Sequence, residues 1–321
     1  MLAALDWENS RLEGAQLHGY GGEHLSTSAA PCRLIIIHMT LAAIGQLTST
    51  ASLTRNGQAA AKLIKQAALK GARAIFLPEA SDYITGTAAH SIELAQPVDQ
   101  SPFIAEIRQA LADTAESTPI YVSVGIHEPT DSGNRVKNTL LWLDPTGKVM
   151  NRYQKIHLFD VEVANGPILR ESQSVEAGSE VMAPFESPLG RIGAGICYDM
   201  RFPEHALSLR TQGAEILLFP SAFTVKTGEA HWHLLSRSRA VDNQCYVINA
   251  AQVGVHDFEG KRESYGHALV VNPWGEVIAE ATDKREQVIF ADIDLDALAK
   301  VRVNMPLWEQ RPRPGPYGEL F

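Results

Sequence analysis

The chain has 321 residues, 45% of them hydrophobic, and its 28 Lys and Arg against 37 Asp and Glu leave a formal net charge of −9. That acidic balance, without any long basic run, argues against nucleic acid and anionic membranes as partners, although a local basic pocket remains compatible with an acidic substrate. Three cysteines (Cys32, Cys197, Cys245) do not make a disulfide framework, no CxxC or HExxH motif supports a metal site, and Leu34–Ile37 is too short an apolar run to span a bilayer.

Residues 1–38 read as a weakly ordered extension. They hold Gly19, Gly21 and Gly22 and carry Arg11 and Arg33 against Asp6, Glu8, Glu13 and Glu23, a poor composition for a mitochondrial presequence or a signal peptide. Met39 is a plausible alternative start, and the chain is expected in the cytoplasm. Residues 39–321 read as one domain. Leu41–Leu47 alternates as a strand, and Asn56–Lys70 carries Ala59, Leu63 and Ala67 at helical spacing. Ala74–Leu77 is a short apolar strand ending at Pro78-Glu79, Phe103–Ala115 a helix and Ile120–Ile126 a strand. Thr139–Leu143 and Val149–Tyr153 flank the turn signal Asp144-Pro145-Thr146-Gly147 and predict a hairpin.

The second half echoes the first. Arg191–Cys197 is a predicted strand, Pro203–Thr211 a helix with proline at its first turn, and Glu215–Phe219 a strand closed by Pro220. Ala230–Asp242 follows as a helix and Cys245–Ala251 as a strand. His267–Asn272 and Glu276–Ala281 form a second hairpin around Pro273-Trp274-Gly275. Helices and strands interleave, but hairpins interrupt the alternation, so a layered α/β fold with mixed sheets fits better than a purely parallel one. The Pro- and Gly-rich tail Arg311–Phe321 is expected to be extended.

Cys197 stands where small residues end a strand and a helix begins, a position at which α/β folds place reactive groups and backbone N–H groups can hold an oxyanion. A nucleophile and a buried structural thiol are both compatible with that spacing. Cys245, inside Cys245-Tyr246-Val247-Ile248, reads as structural, and Cys32 is assigned no role. Glu79 ends an apolar strand, where desolvation would raise its pKa and suit a general base; a solvated loop acid is the alternative. Lys155 lies just after a strand and is either an oxyanion partner or a surface lysine.

Taken together, Leu77-Pro78-Glu79, Tyr153-Gln154-Lys155-Ile156-His157-Leu158 and Gly195-Ile196-Cys197-Tyr198-Asp199-Met200-Arg201-Phe202-Pro203-Glu204 resemble the three catalytic motifs of the nitrilase superfamily, in the same order. The resemblance spans Thr40 to Phe321. Asp160-Val161-Glu162-Val163, Arg170-Glu171-Ser172, Pro220-Ser221-Ala222-Phe223, Thr227-Gly228-Glu229-Ala230-His231-Trp232 and Ser264-Tyr265-Gly266-His267 are most similar to the Nit branch, of deaminated glutathione amidase type. The resemblance implies an α-β-β-α sandwich, a homodimer, a small-molecule amide substrate and no cofactor.

It also implies hydrolysis of an α-keto amide to a carboxylic acid and ammonia through a Cys197 thioester. Glu79 would be the base, with Lys155 and the Tyr198 N–H holding the oxyanion, and Glu171 would orient Lys155 and the bound amide. For substrate binding, Arg201 is either a carboxylate clamp or an ion-pair partner of Glu204. Thr227 and His231, before and at the start of a helix, are candidates to line the entrance, while Trp232 is expected in the core. His157 and His267 are expected to be structural, and no metal is expected. The alternatives are an ω-amidase acting on α-ketoglutaramate, a carbamoyl hydrolase or nitrilase using the same triad, and a non-enzymatic scaffold.

Overall fold

The computed structural model describes residues 39–162, 168–256 and 262–311; the expected extension, and the tail beyond Arg311, lie outside the described residues. The two halves of the remainder repeat one plan. In the first, strands Met39–Leu47, Ala74–Phe76 and Tyr121–Pro129 run parallel, and Val136–Leu143 and Val149–Gln154 continue the sheet as an antiparallel hairpin. In the second, Gly190–Ala194, Ile216–Leu218 and Tyr246–Asn249 run parallel before the antiparallel pair Leu269–Val271 and Val277–Glu280. The helices are α1 (Leu53–Leu69), α2 (Ala88–Leu94), α3 (Pro102–Thr114), α4 (Pro203–Thr211), α5 (Val225–Asn243) and α6 (Leu295–Asn304).

The period-2 alternation of the strands separates the layers. Ala43, Ile75, Val122, Val124 and Leu141 of the first sheet pack on Leu63 and Ile64 of α1 and Phe103 and Ile107 of α3. Their alternates Ala42, Ile44, Phe76, Leu140 and Trp142 belong to a second core with Ile192, Leu217 and Val270 of the other sheet and with Leu209 of α4 and Trp232 of α5. The result is the expected α-β-β-α sandwich. Trp142 lies 5.5 Å from the rings of both Tyr121 and Phe185, and each large apolar side chain buried this way contributes roughly 1.5–3 kcal/mol. Ser52 and Ser101 accept the N–H of Arg55 and Ile104 and so cap α1 and α3.

Several boundaries differ from the sequence reading, each for a local reason. The strand expected to reach Cys197 stops at Ala194, because the chain turns into a short 3₁₀ helix over Cys197–Arg201. Helix α5 begins at Val225, five residues before the expected Ala230, so Thr227 and His231 lie inside it. The polar residues of that first stretch hide its helical period. Cys245–Ala251 is no single strand: Tyr246–Asn249 ends in the second sheet, and Ala251–Val255 pairs with Met39–Leu47 in the first. No element is expected over residues 282–310, yet Gln287–Asp294 pairs antiparallel along Met39–Gln46 and leads into α6.

Candidate active site

Glu79, Lys155 and Cys197 arrive from three different strand ends and meet. Glu79 follows Ala74–Phe76, Lys155 follows Val149–Gln154, and Cys197 opens the turn after Gly190–Ala194. Lys155 is 1% exposed and Glu79 5%, so both are removed from water. The ammonium Nζ donates to Glu79 Oε1 and to both carboxylate oxygens of Glu171, each at 2.9 Å. Glu171 is in turn held by the Phe159 N–H, which donates to its Oε2 at 2.6 Å. Glu79 Oε2 accepts from the Ala222 N–H at 2.9 Å, and the carboxylate charge acts on the neighbouring Cys197 thiol.

These contacts set the charges. Burial pushes Glu79 upward, but the Lys155 charge and its hydrogen bonds outweigh burial and hold the carboxyl below its ordinary range. The expectation that desolvation would raise this group is therefore overturned by the adjoining ammonium. Burial alone would lower Lys155, yet Glu171 and Glu79 hold it well above the usual lysine range. Burial, and then the Glu79 charge, push the Cys197 thiol far up. The resting site thus contains two carboxylates, one ammonium and a neutral thiol.

The backbone around Cys197 is strained. Cys197 has φ +48° and Ala80, next to Glu79, φ +53°, both in the left-handed region that side chains rarely adopt. Such strain collects at functional sites and persists only where the surroundings enforce it. Here Asp199 provides much of the enforcement. Its carboxylate accepts from the Ile196 N–H (2.8 Å), the Tyr153 hydroxyl (2.7 Å), and the His157 N–H (3.0 Å) and ring Nδ1 (2.7 Å). Tyr153 and His157 bracket Lys155, and Ile196 precedes Cys197, so one buried carboxylate ties the two segments together. Burial opposes its charge, but these donors hold its pKa below the ordinary range. Asp199, His157 and His205 gather their ligand atoms within 4.8 Å, but the Asp199 oxygens are already taken by protein donors and His205 Nε2 bonds the Ala194 carbonyl. The group serves as a hydrogen-bond network, as expected for His157.

Cys197 lies at a small open pocket of about 210 Å³, lined also by Phe159, Tyr198, Arg201, Ala222, Phe223 and Thr227. Tyr198 stands second in the 3₁₀ turn, where a main-chain N–H has no intrahelical acceptor. Arg201 makes no ion pair with Glu204 among the described residues. Its guanidinium instead lies 5.3 Å from the Phe223 ring and 5.8 Å from that of Tyr198, with Nη1 3.3 Å from His231 Nδ1. Arg201 Nε is buried without a hydrogen-bond partner among the described residues. His231 therefore reaches the pocket only through Arg201, whereas Thr227 lines it directly, its hydroxyl 2.9 Å from that of Thr224. Trp232 is core, as expected, donating from its indole to the His267 carbonyl at 2.7 Å. Cys245 is buried, its thiol pushed up to about 11 by that burial, in keeping with a structural residue.

Asn138 has no place in the sequence reading. It is 2% exposed, and its Nδ2 donates to Glu79 Oε1 at 2.8 Å and to Glu171 Oε1 at 3.3 Å. It sits within a strand, away from all three motifs, so only its polarity next to the apolar run Thr139–Leu143 could have flagged it.

A family model described as carbon-nitrogen hydrolase matches residues 41–303. A protein of Schizosaccharomyces pombe named "probable hydrolase nit2" is 47% identical over 272 residues, 84% of this chain and 96% of its own. The deaminated glutathione amidase of Homo sapiens is 38% identical over 300 residues, covering 92% of this chain and 88% of that one. Among solved structures, the Caenorhabditis elegans NitFhit protein superposes with a TM-score of 0.79 at 40% identity, over 85% of this chain and 65% of that one. Saccharomyces cerevisiae Nit3, described as a member of branch 10 of the nitrilase superfamily, does so with a TM-score of 0.72 at 29% identity, over 85% and 96%.

Proposed function

The chain belongs to the carbon-nitrogen hydrolase family, and from that premise we propose that it is an amidase acting on deaminated glutathione through a Cys197 thioester. The observation that carries the chemistry is the buried carboxylate of Glu79, bonded to the Lys155 ammonium and acting with its charge on the neighbouring Cys197 thiol. Because the thiol is neutral at rest, attack needs a base within reach, and Glu79 is placed to take the proton. The thiolate then adds to the amide carbon, and the oxyanion that forms is held by Lys155 and the Tyr198 N–H, at about 3 kcal/mol per donor. As Lys155 turns toward the oxyanion it loosens its hold on Glu79, so the carboxylate gains proton affinity when it must keep the proton.

Glu79 next protonates the leaving nitrogen, the C–N bond breaks and the thioester remains. Water, deprotonated by Glu79, attacks the thioester carbon; the C–S bond breaks, the acid leaves and the thiol recovers its proton. Glu171 anchors Lys155 throughout. The steps use this chain's residues and water alone. The nitrogen product depends on the amide. A primary amide such as α-ketoglutaramate releases ammonia, but the γ-amide of deaminated glutathione releases cysteinylglycine, so ammonia is the wrong readout for that substrate.

Arg201 supports an anionic α-keto acid end. A cation lining the pocket with no carboxylate partner among the described residues offers a bidentate site for a substrate carboxylate. The pocket is small, so only a short acyl segment fits inside it. Thr227 lines its wall, and His231 steadies Arg201. A homodimer in the cytoplasm completes the proposal. Leu234 and Val241, seven residues apart on α5 and 63% and 42% exposed, support a second copy packing there. No described helix is long and apolar enough to cross a membrane.

The test is a substrate panel read by acid and amine product. Deaminated glutathione and α-ketoglutaramate should both be hydrolysed, the former with the higher kcat/KM. Arg201→Leu should raise KM about tenfold or more for both, with a smaller change in kcat. Turnover of N-carbamoyl amines or nitriles with no turnover of either keto-acid amide would sink the assignment.

A further inference from the structure

The three charged members of the site hang on one uncharged residue. Asn138 lies in Val136–Leu143, a strand hydrogen-bonded on both sides, opposite His127 of Tyr121–Pro129 and beside Thr139, which pairs with Gln154. From that rigid position its side-chain NH₂ reaches Glu79 at 2.8 Å and Glu171 at 3.3 Å. Its main-chain carbonyl also accepts the Lys155 main-chain N–H at 2.9 Å, which extends the strand pairing to Lys155. An amide nitrogen has two protons, and here one is available for each carboxylate.

The other end of the side chain shows what this arrangement costs. Asn138 Oδ1 is buried with no hydrogen-bond partner among the described residues. Native structures seldom leave such an acceptor unpaired, and a site role is one of the few explanations. Turning the amide over would not help, since Oδ1 would then face two carboxylate oxygens. The residue keeps an orphaned acceptor so that its donors point at both acids.

We propose that Asn138 is a positioning residue of the reaction: its NH₂ fixes Glu79 and Glu171 on either side of Lys155 and keeps Glu79 an ionised base aimed at Cys197. The inference rests on the reading of Glu79 as the base. Titratable groups facing Glu79 are Lys155 and Cys197, with Glu171 across the ammonium. A hydrogen bond to the charged form favours that form, so removing the Asn138 donor makes Glu79 easier to protonate. The base is then lost at higher pH on the acid side of the profile.

The experiment compares pH profiles of kcat and kcat/KM for the wild type, Asn138→Ala and Asn138→Ser on α-ketoglutaramate. Asn138→Ala should lower kcat about tenfold or more, leave KM within about threefold because the residue does not line the pocket, and move the acid limb to higher pH. Asn138→Ser, which keeps a donor, should recover part of both. An acid limb unmoved in Asn138→Ala, or a KM effect equal to the kcat effect, overturns the proposal. If both variants are insoluble while Cys197→Ala folds, Asn138 belongs to the fold and the proposal also fails. Failure of the underlying reading looks different: Glu79→Gln would then keep wild-type activity.

Discussion

Around Lys155, an ammonium with no access to water is balanced by two carboxylates, and every other property of the site follows from that balance. The Lys155 charge keeps Glu79 ionised against burial, burial and then Glu79 keep the thiol protonated, and Glu171 holds the ammonium in place. Removing the cation should therefore hurt more than removing its charge partner on a surface would. Lys155→Met should cost about 3–5 kcal/mol, because Glu79 and Glu171 are left buried and facing each other. The deficit should be larger at pH 8 than at pH 5. Without Lys155, burial raises the Glu79 pKa, so falling pH neutralises the carboxyl in the variant, while in the wild type the depressed group loses its contribution only at lower pH. Urea unfolding at the two pH values checks both the size and the direction. The motifs marked Glu79, Lys155, Cys197 and Glu171 in the sequence, and the fold brings the four together. Asn138 was not marked, because a strand residue acquires its role from strands that come together only in the fold. The direction of the Glu79 shift was misjudged for the same reason: burial is readable from an apolar strand end, but an ammonium 76 residues away is not.

Each element delivers its residue by ending abruptly. Ala74–Phe76 stops three residues before Glu79, and Ala194 three before Cys197, where the backbone takes φ +48°. The Glu79 end is held by close contact with the neighbouring strand. A Cβ on Gly125 would come within 2.6 Å of Glu79 Cα and 2.7 Å of the Pro78 carbonyl, both main-chain atoms that cannot swing aside. Gly125→Ala should push the Glu79 turn away from Cys197 and cost about 1–3 kcal/mol of stability. It should also lower kcat about a hundredfold, as a displacement near 1 Å does. Paired unfolding and turnover measurements separate the two effects; wild-type turnover would show that the contact does not set the position of Glu79. Most strands and helices were legible from periodicity, and α4 was legible to the residue, since Pro203 marks its first turn. The start of α5 and the crossing from Tyr246–Asn249 into Ala251–Val255 were not. The first stretch of α5 is polar and the second continuously apolar, and neither pattern carries a boundary.

At the scale of the molecule, two similar halves each supply part of one site. Glu79, Asn138, Lys155 and Glu171 precede Gly190–Ala194, the strand that leads to Cys197, and Ala222 and Arg201 belong with the second half. Mixed sheets were predictable from hairpins that interrupt the α/β alternation. Closure of the first sheet by Gln287–Asp294 was not, because that strand pairs with Met39–Gln46 almost 250 residues earlier. The account as a whole depends on a covalent bond forming at Cys197 with Glu79 as base. Intact-mass analysis of the full chain, quenched during turnover of deaminated glutathione, tests that directly. The wild type should gain the mass of the 2-oxoglutaryl group, mapped to Cys197, and Cys197→Ala and Glu79→Gln should gain nothing. Turnover by Cys197→Ala, or an adduct that maps to Cys245, would contradict it.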